Sequence, residues 1–173
     1  MPAVLLVCTA NLCRSPLAEL LMKTRLPGFG PGAAQAFSVI ESAGVRAAPR
    51  PGPMDARAAA AAQRAGLSPN KKWRSRRVVA ADFERFDLIL AMDSENLHEL
   101  KLLCPAALHP RLHLLLDFAP GLQGQEVPDP YFGPAHGFDH VMGLLSQAVQ
   151  GLAQAWREGR LPVAVPSPSR IGA

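Results

Sequence analysis

Short apolar segments alternate along this chain with longer segments in which apolar residues follow a helical spacing. The apolar segments are residues 3–7, 36–40, 86–92 and 112–116. The first of them contains no polar residue, which is typical of a strand buried on both faces of a parallel sheet. The alternation therefore predicts an α/β fold, in which a single three-layer domain has a four-stranded parallel sheet with helices on both faces.

Helix signals lie between the predicted strands. Ser15 followed by Pro16 predicts a helix start, because serine is a good N-cap and proline suits the first helical turn. Asp55 is predicted to cap a second helix, and Asp93 a third. Residues 138–158 are predicted to form the longest helix, because their apolar positions recur with helical spacing.

The length of 173 residues suits one domain. We assign residues 1–160 to that domain and residues 161–173, rich in proline and serine, to a C-terminal tail. The first residues lack the basic start of a signal peptide, and no apolar run is long enough to span a membrane. The three cysteines are too few for a disulfide framework. We therefore expect a cytoplasmic protein without a membrane partner.

Basic residues are concentrated between Lys71 and Arg77, in a chain with a net charge of +4. Such a cluster can contact nucleic acid, or it can be a solvated loop that makes the surface attractive to anions. No interleaved aromatic residues and no nucleic-acid motif accompany it. We favour the solvated loop and expect no nucleic-acid partner.

Two pairs of histidines have the i, i+4 spacing that can hold a metal ion on one helix face. They are His109 with His113 and His136 with His140. Neither pair is joined by a carboxylate or a third ligand in a recognised pattern. We interpret them as surface or hydrogen-bonded histidines, and we predict neither a metal site nor a cofactor.

The segment that carries the most chemistry, residues 8–15, lies between the first strand and the first helix; we call it the phosphate loop. Ligand sites of open parallel sheets lie beyond the carboxyl ends of the strands. Consecutive N–H groups in a tight loop bind anions, and a helix N-terminus adds more of them. Arg14 has a planar guanidinium that can bind two phosphate oxygens at once. We predict that phosphate or another oxyanion binds to Thr9, Ala10, Asn11, Leu12, Cys13, Arg14 and Ser15.

Cys8 is the candidate nucleophile of this loop. Positive dipoles and a guanidinium stabilise a thiolate, so we expect its sulfur to be ionised at neutral pH and able to attack phosphorus. Ser15 could donate a hydrogen bond to that sulfur, and Asn11 tolerates the left-handed backbone that such a loop requires. A cysteine at a strand end is more often simply buried. The five-residue spacing to Arg14 favours catalysis.

With this loop on its first strand, the sequence resembles the low-molecular-weight protein tyrosine phosphatase family. Its C-x5-R-S pattern is matched from Cys8 to Ser15, and a late D-P-Y motif that begins at Asp129 matches the family's acid loop. The resemblance covers roughly residues 3–161. It implies a metal-independent enzyme that hydrolyses phosphotyrosine and small aryl phosphates through a phosphocysteine intermediate. By resemblance, the catalytic residues are Cys8, Arg14 and Asp129.

The acid loop comprises residues 127–133. Tyrosine leaves its phosphate as a phenolate, and general acid catalysis of such a step contributes about 10²–10⁴ in rate. The resemblance assigns this role to Asp129, which would then activate the water that hydrolyses the phosphocysteine. Pro128 and Pro130 restrict the backbone on either side of it. Without the phosphate loop, an ordinary Asp-Pro turn would be the better interpretation.

The resemblance places a substrate cleft beside the phosphate loop, lined by Leu12, Ala48, Tyr131 and Phe132. The two aromatic rings could stack on a phenyl ring, or they could belong to the core beneath a loop. Ala48 departs from the family, because many members have an aromatic residue at this position. One side of the cleft is therefore expected to be more open.

We assign support of the phosphate loop to Asn11, Ser15 and Ser42. The role of Ser42 is implied by the resemblance, in which this position forms a hydrogen bond with the asparagine of the loop, here Asn11. Trp73 stands where many family members have a histidine in this network, so the support must be arranged differently. The resemblance also implies a reversible disulfide between Cys8 and Cys13 that protects the nucleophile from over-oxidation. A small apolar filler is the alternative role for Cys13.

The resemblance implies a monomer whose substrates are phosphotyrosine-containing proteins, with an autophosphorylating tyrosine kinase as one candidate. Three alternatives stay open. A related arsenate reductase would need further redox cysteines, and none lies between Cys13 and Cys104. Protein-arginine phosphatases differ at the position of Leu12 and after the D-P pair. A catalytically idle anion-binding module would need the loop and Arg14, but neither the thiolate nor the acid.

Overall fold

A computed structural model describes residues 1–163. Apart from its first three residues, the predicted tail at residues 161–173 lies outside the described residues. Four strands form one sheet: β1 (Ala3–Cys8), β2 (Val39–Gly44), β3 (Leu88–Ala91) and β4 (Leu112–Leu114). Their order is β2-β1-β3-β4, and every neighbouring pair is parallel. The four-stranded parallel sheet is therefore confirmed.

Among the four strands, the second differs most from its prediction, which placed it at residues 36–40. β2 begins only at Val39, although Ala36 and Phe37 are buried as their apolar character indicates. The strand continues into Ser42, whose buried hydroxyl is hydrogen-bonded rather than solvated. The apolar pattern therefore identified buried residues correctly but placed the strand too early in the chain. It missed the second half of β2, because a polar residue such as Ser42 can occupy a buried strand position when it has a hydrogen-bond partner.

In the described part of the chain, five α-helices accompany the sheet: α1 (Arg14–Arg25), α2 (Ala56–Arg64), α3 (Asp82–Arg85), α4 (Ser94–Leu103) and α5 (His136–Arg157). Asp55 caps α2 and Asp93 caps α4, as predicted, since their carboxylates accept hydrogen bonds from backbone N–H groups at 2.8 and 2.7 Å. The short α3 and the 3-10 turns were not predicted. Segments this short have too few residues to show a periodicity.

The predicted cap of α1 is wrong. The helix begins at Arg14 with Cys13 in the cap position, and no side chain accepts a hydrogen bond there. The Ser15 hydroxyl instead lies 3.0 Å from the sulfur of Cys8. The Ser15 hydroxyl therefore interacts with the phosphate loop instead of capping α1.

Alternate residues of β1 point to opposite faces of the sheet, and each face is covered by helices. One face packs against α1, α2 and α5 through an apolar cluster that includes Val4, Leu6, Leu17 and Leu145. The other face packs against α3 and α4 through a cluster that includes Leu5, Val7, Phe83 and Leu100. Helices on both faces confirm the three-layer architecture, and a sheet covered in this way explains why β1 has no polar residue.

The register of the sheet brings the ends of β1 and β2 together, with Cys8 opposite Gly44. A Cβ atom at Gly44 would lie only 2.7 Å from the carbonyl oxygen of Thr9 and 2.9 Å from the backbone of Ala10. Only glycine lets β2 pass this close to the phosphate loop. Within residues 1–163, no helix is both long and apolar enough to cross a lipid bilayer.

Candidate active site

The phosphate loop turns sharply at Asn11, which has a φ of 57° and is the one non-glycine residue with positive φ among those described. This confirms the predicted left-handed backbone. The carbonyl groups of Cys8, Thr9 and Leu12 accept hydrogen bonds from the N–H groups of Val45, Arg46 and Asp55, at 2.8–3.0 Å.

The backbone N–H groups of the phosphate loop are its second feature. In the described part of the chain, the backbone N–H groups of residues 9–13 donate to no protein acceptor. With the carbonyl groups of Cys8, Thr9 and Leu12 already bonded, the loop has consecutive backbone donors available beside the cavity. Consecutive free donors of this kind form an anion site.

One cavity collects the residues that the sequence assigned to catalysis. It is lined by Cys8, Thr9, Ala10, Leu12, Cys13, Arg14, Asp129, Tyr131 and Phe132. Asn11 and Ser15 are fully buried and support the loop instead of lining the cavity. The structure does not bring Ala48 there: it lies in an exposed segment with Pro49 and Arg50, outside the lining residues.

The hydrogen bonds of Asn11 have a defined direction. Its Oδ1 accepts from the backbone N–H of Arg76 at 2.9 Å, so its amide nitrogen is left to donate. It donates to Ser15 Oγ at 2.8 Å and to Ser42 Oγ at 3.0 Å. Because Ser15 Oγ accepts this bond, its own proton can be donated to Cys8 Sγ at 3.0 Å; the carbonyl of Ala43 is a more distant acceptor at 3.3 Å.

Glu19 completes the supporting network, and the sequence analysis did not assign it a role. Its buried carboxylate accepts from Ser42 Oγ at 2.5 Å and from Lys23 Nζ at 2.6 Å. Trp73 Nε1 donates to it at 3.2 Å, which is how the network is supported without a histidine. The available signal was an acidic residue on the apolar face of α1, since a carboxylate is seldom buried without partners.

Arg14 is only 2% exposed, and one edge of its guanidinium is firmly held. Its NH1 donates to Asp93 Oδ2 at 2.6 Å and to the carbonyl of Val127 at 2.9 Å. Its NH2 lies 3.4 Å from Thr9 Oγ1 and 3.6 Å from Asp129 Oδ2. A guanidinium that is paired on one edge keeps the other edge at the cavity for an anion.

Asp129 is far more accessible, with 48% of its side chain exposed. Its Oδ1 accepts from the backbone N–H of Tyr131 at 3.1 Å, and its Oδ2 faces Arg14. The rings of Tyr131 and Phe132 meet edge to face with centroids 4.9 Å apart. Phe132 is 95% exposed, which contradicts the alternative that this pair belongs to the core.

Cys13 is a buried neighbour of Cys8 in the phosphate loop. Burial raises the pKa of the Cys13 thiol to about 12, and the nearby Asp55 carboxylate and the sulfur of Cys8 add to the rise. Cys13 is therefore a neutral thiol at physiological pH. It lines the same cavity as Cys8.

A cysteine beside consecutive N–H donors, with a guanidinium and a carboxylate at the same cavity, defines a cysteine-dependent phosphatase of the α/β class. Residues 3–160 match the family model described as low molecular weight phosphotyrosine protein phosphatase. The chain is 36% identical to the Escherichia coli low molecular weight protein-tyrosine-phosphatase Etp over 152 residues, which cover 88% of this chain and 93% of Etp.

Two further comparisons agree. A putative low molecular weight protein-tyrosine-phosphatase of Synechocystis is 35% identical over 150 residues, covering 86% of this chain and 92% of the relative. The crystal structure of a protein tyrosine phosphatase from Entamoeba histolytica has a TM-score of 0.83 at 33% identity, covering 93% of this chain and 100% of that one. The chain belongs to the low-molecular-weight protein tyrosine phosphatase family, whose members are metal-independent hydrolases that use a phosphocysteine intermediate.

Proposed function

We propose that this protein hydrolyses phosphotyrosine in proteins, with Cys8 as the nucleophile, Arg14 as a phosphate ligand and Asp129 as the general acid. The observation that carries the proposal is the convergence of these three side chains on one cavity beside the free N–H groups of the phosphate loop. The family membership supports the reaction type.

The first step transfers the phosphoryl group to the enzyme. The ionised sulfur of Cys8 attacks phosphorus, so a sulfur–phosphorus bond forms while the bond from phosphorus to the tyrosine oxygen breaks. Asp129 gives its proton to that oxygen, and tyrosine leaves as a neutral phenol. The N–H groups of residues 9–13 and the guanidinium of Arg14 stabilise the charge on the transferring oxygens.

The second step regenerates the enzyme. Asp129, now a carboxylate, removes a proton from a water molecule that attacks phosphorus, and the sulfur–phosphorus bond breaks. Inorganic phosphate is released and the sulfur returns to its anionic form. The Ser15 hydroxyl, which faces this sulfur at 3.0 Å, stabilises the departing thiolate by donating a hydrogen bond.

Three measurements, one on the wild type and two on variants, test this proposal. We expect hydrolysis of para-nitrophenyl phosphate and of phosphotyrosine peptides in the presence of a metal chelator, with inhibition by vanadate. Cys8→Ser should abolish turnover while it still binds phosphate, because a serine hydroxyl is a poor nucleophile at neutral pH. Asp129→Asn should lower kcat/KM by about 10²–10⁴ on phenolic leaving groups. A Cys8→Ser variant as active as the wild type would refute the mechanism.

The same assays separate the alternatives. An arginine phosphatase would prefer phosphoarginine to phosphotyrosine peptides, and an arsenate reductase would consume thiol with arsenate. An idle binding module would bind phosphate at the wild-type cavity and turn over none of these substrates. Cys8→Ser, which keeps the N–H donors and Arg14, is the matched reference for binding without chemistry.

We propose further that the natural substrates are phosphotyrosine-containing proteins, with an autophosphorylating tyrosine kinase as one candidate. The exposed rings of Tyr131 and Phe132 at the cavity support an aromatic substrate. A cytoplasmic location and a monomeric state are proposals as well, and the three free cysteines suit a reducing compartment. Comparing phosphotyrosine proteomes with and without the protein would identify the substrates, and light scattering would test the monomer.

We also propose that Cys13 resolves an oxidised Cys8. Peroxide converts the Cys8 sulfur to a sulfenic acid, and the sulfur of Cys13 attacks it; a disulfide forms, the sulfur–oxygen bond breaks and water leaves. Because the pKa of Cys13 is raised to about 12, the attacking thiolate becomes more abundant as pH rises through neutrality. After peroxide is removed, disulfide formation should be faster at higher pH. While excess peroxide is present, Cys8 of the Cys13→Ser variant should over-oxidise to the sulfinic acid. A rate independent of pH would contradict this role.

A further inference from the structure

The geometry assigns a positioning role to Arg57, a residue of α2 that no step of the reaction uses. Arg57 holds the acid loop in the conformation in which Asp129 faces the cavity. This inference rests on the proposed function of Asp129, but it concerns a different residue on a different element.

The guanidinium of Arg57 is itself held in place by Asp55, a residue that is hydrogen-bonded to the phosphate loop. Its Nε and NH2 donate to the two carboxylate oxygens of Asp55 at 3.1 and 3.0 Å, a two-point pairing that sets the plane of the group. Asp55 is anchored in turn, because its backbone N–H donates to the carbonyl of Leu12 at 2.9 Å. Arg57 is thus oriented by a residue that is bonded directly to the phosphate loop.

The remaining nitrogen of this guanidinium reaches across to the acid loop. Arg57 NH1 donates to the carbonyl of Tyr131 at 2.9 Å. The guanidinium also lies over two aromatic rings, 5.1 Å from the centroid of Tyr131 and 4.9 Å from that of Phe138 in α5. Such contacts are attractive and directional, so they favour one position of the Tyr131 ring.

Tyr131 connects this contact to the general acid. Its backbone N–H donates to Asp129 Oδ1 at 3.1 Å, while its carbonyl accepts from Arg57. Holding the carbonyl therefore holds the residue whose N–H orients the carboxylate.

The other anchor of the acid loop is at its start. Val127 donates to the carbonyl of Met92 at 2.8 Å and accepts from Arg14 at 2.9 Å. Beyond Asp129, the side-chain hydrogen bond from another element to this loop in the described structure is that of Arg57. The hydrogen bond from Gly133 N–H to the carbonyl of Pro130 joins two residues of the loop itself and does not anchor it to the rest of the protein. Removing Arg57 therefore deletes the side-chain hydrogen bond to the part of the acid loop that follows Asp129.

Loss of Arg57 should lower kcat/KM most for substrates whose leaving group needs a proton from Asp129. The parameter kcat/KM includes every step up to release of the phenol, so it reports the step in which Asp129 is the acid. Aryl phosphates with electron-withdrawing substituents leave readily without a proton, whereas phenyl phosphate and phosphotyrosine do not. A misplaced acid therefore steepens the dependence of kcat/KM on the pKa of the leaving group.

The experiment measures kcat/KM over a series of aryl phosphates for the wild type, Arg57→Ala, Arg57→Lys and Asp129→Asn. For Arg57→Ala we expect about a tenfold loss on phenyl phosphate and little loss on the most activated substrate, since misplacing a catalytic group costs up to about 10² in rate. Arg57→Lys, which keeps a charge but not the two-point pairing, should fall between. Asp129→Asn should show the same pattern more strongly.

Arg64→Ala is the matched control. Arg64 lies on the same helix and pairs with Asp139 of α5 at 3.0 Å, and its side chain is 51% exposed, against 41% for Arg57. It does not contact the acid loop. Its removal deletes a surface ion pair of similar exposure, so it should leave the leaving-group dependence unchanged.

Hydrogen exchange gives a second readout that does not depend on turnover. The Tyr131 amide should exchange faster in Arg57→Ala than in Arg64→Ala, both compared at temperatures where each remains folded. A uniform loss on all substrates, or exchange equal to that of the control, would overturn the role of Arg57. If Asp129→Asn itself showed no leaving-group effect, the proposed acid would be wrong, while faster exchange would still support the anchoring contact.

Discussion

The phosphate loop and the acid loop face the same cavity but are held in different ways. The phosphate loop is mostly buried, and the carbonyl groups of Cys8, Thr9 and Leu12 accept hydrogen bonds from other segments. The Asn11 side chain bonds to Arg76 and Ser42 outside the loop. The acid loop is largely exposed, and few hydrogen bonds or ion pairs connect it to other segments: those of Val127 at its start, Arg14 to Asp129, and Arg57 to Tyr131.

This difference follows from what each loop is proposed to do. Stabilising the charge of a transferring phosphoryl group requires several donors at fixed distances, and fixed donors avoid reorganisation during the reaction. A general acid has to give a proton and then accept one, beside a substrate that must enter and leave. Changes in the phosphate loop should therefore affect all substrates alike, and changes in the acid loop only those that need a proton.

The largest effect is expected at Gly44, where β2 touches the phosphate loop. In Gly44→Ala the added Cβ would meet the backbone of Thr9 at 2.7 Å, so the N–H groups must shift. We expect kcat/KM to fall by about 10² on every substrate, and stability to fall by about 1–3 kcal/mol. Steady-state kinetics and urea unfolding would measure both. A loss confined to poor leaving groups would break the distinction between the two loops.

Asn11 allows its backbone and its side chain to be tested separately. Asn11→Gly keeps the left-handed backbone but removes the bonds to Ser15 and Ser42. Asn11→Ala removes the same bonds and keeps a Cβ in that backbone, at a cost of about 1–2 kcal/mol that glycine avoids. Both variants should lose about tenfold in kcat/KM across all substrates, and the alanine variant should be the less stable in urea. Equal stabilities would show that the φ of 57° is not a constraint.

Trp73 tests how far the supporting network extends from the sulfur. Trp73→Phe removes the indole N–H that donates to Glu19, and we expect a stability loss of about 1 kcal/mol with kcat/KM changed by less than about threefold. Trp156→Phe in α5 is the control, since its indole makes no hydrogen bond in the described structure. A larger loss of activity would mean that the Trp73 hydrogen bond to Glu19 is needed to position Ser42 and, through it, the phosphate loop.

The smallest effect concerns the pair that anchors the acid loop. The Arg57 guanidinium holds the pKa of the Asp55 carboxyl below its usual value of 3.8. A lowered folded-state pKa contributes stability above the unfolded value, and this stability is lost as pH falls through the folded-state pKa. Arg57→Ala should therefore lose less stability than the wild type between pH 5 and about pH 2. Urea unfolding at several pH values would show equal losses if the pair were not formed.

The chemistry of the phosphate loop could be predicted because its residues are contiguous. Cys8, Asn11 and Arg14 occupy one strand-to-helix turn, where local geometry decides what the side chains can meet. The caps at Asp55 and Asp93 were predictable for the same reason. The predicted cap at Ser15 was wrong, because the buried sulfur of Cys8 and the amide of Asn11 compete for the same hydroxyl.

The contacts that connect distant segments could not be predicted in this way. Gly44 and Arg57 gave no separate signal, since each matters through a partner far away in the sequence. Glu19 gave a signal on the apolar face of α1, but its partner Ser42 lies on β2. Ala48 was placed at the cleft by resemblance alone, and the exposed segment that carries it lies outside the cavity. The extent of β2 was likewise decided by its pairing with β1 rather than by its own pattern.

The sequence by itself determined the layers of the fold and the chemical groups of the site, because hydrophobic periodicity and the spacing of a short loop are local properties. Only the tertiary structure decided that Asp129 lies within 3.6 Å of Arg14 and that Arg57 reaches Tyr131. The physical reason is that parallel strands end at one edge of the sheet, so segments far apart in the chain meet there. Which of them touch depends on packing and register.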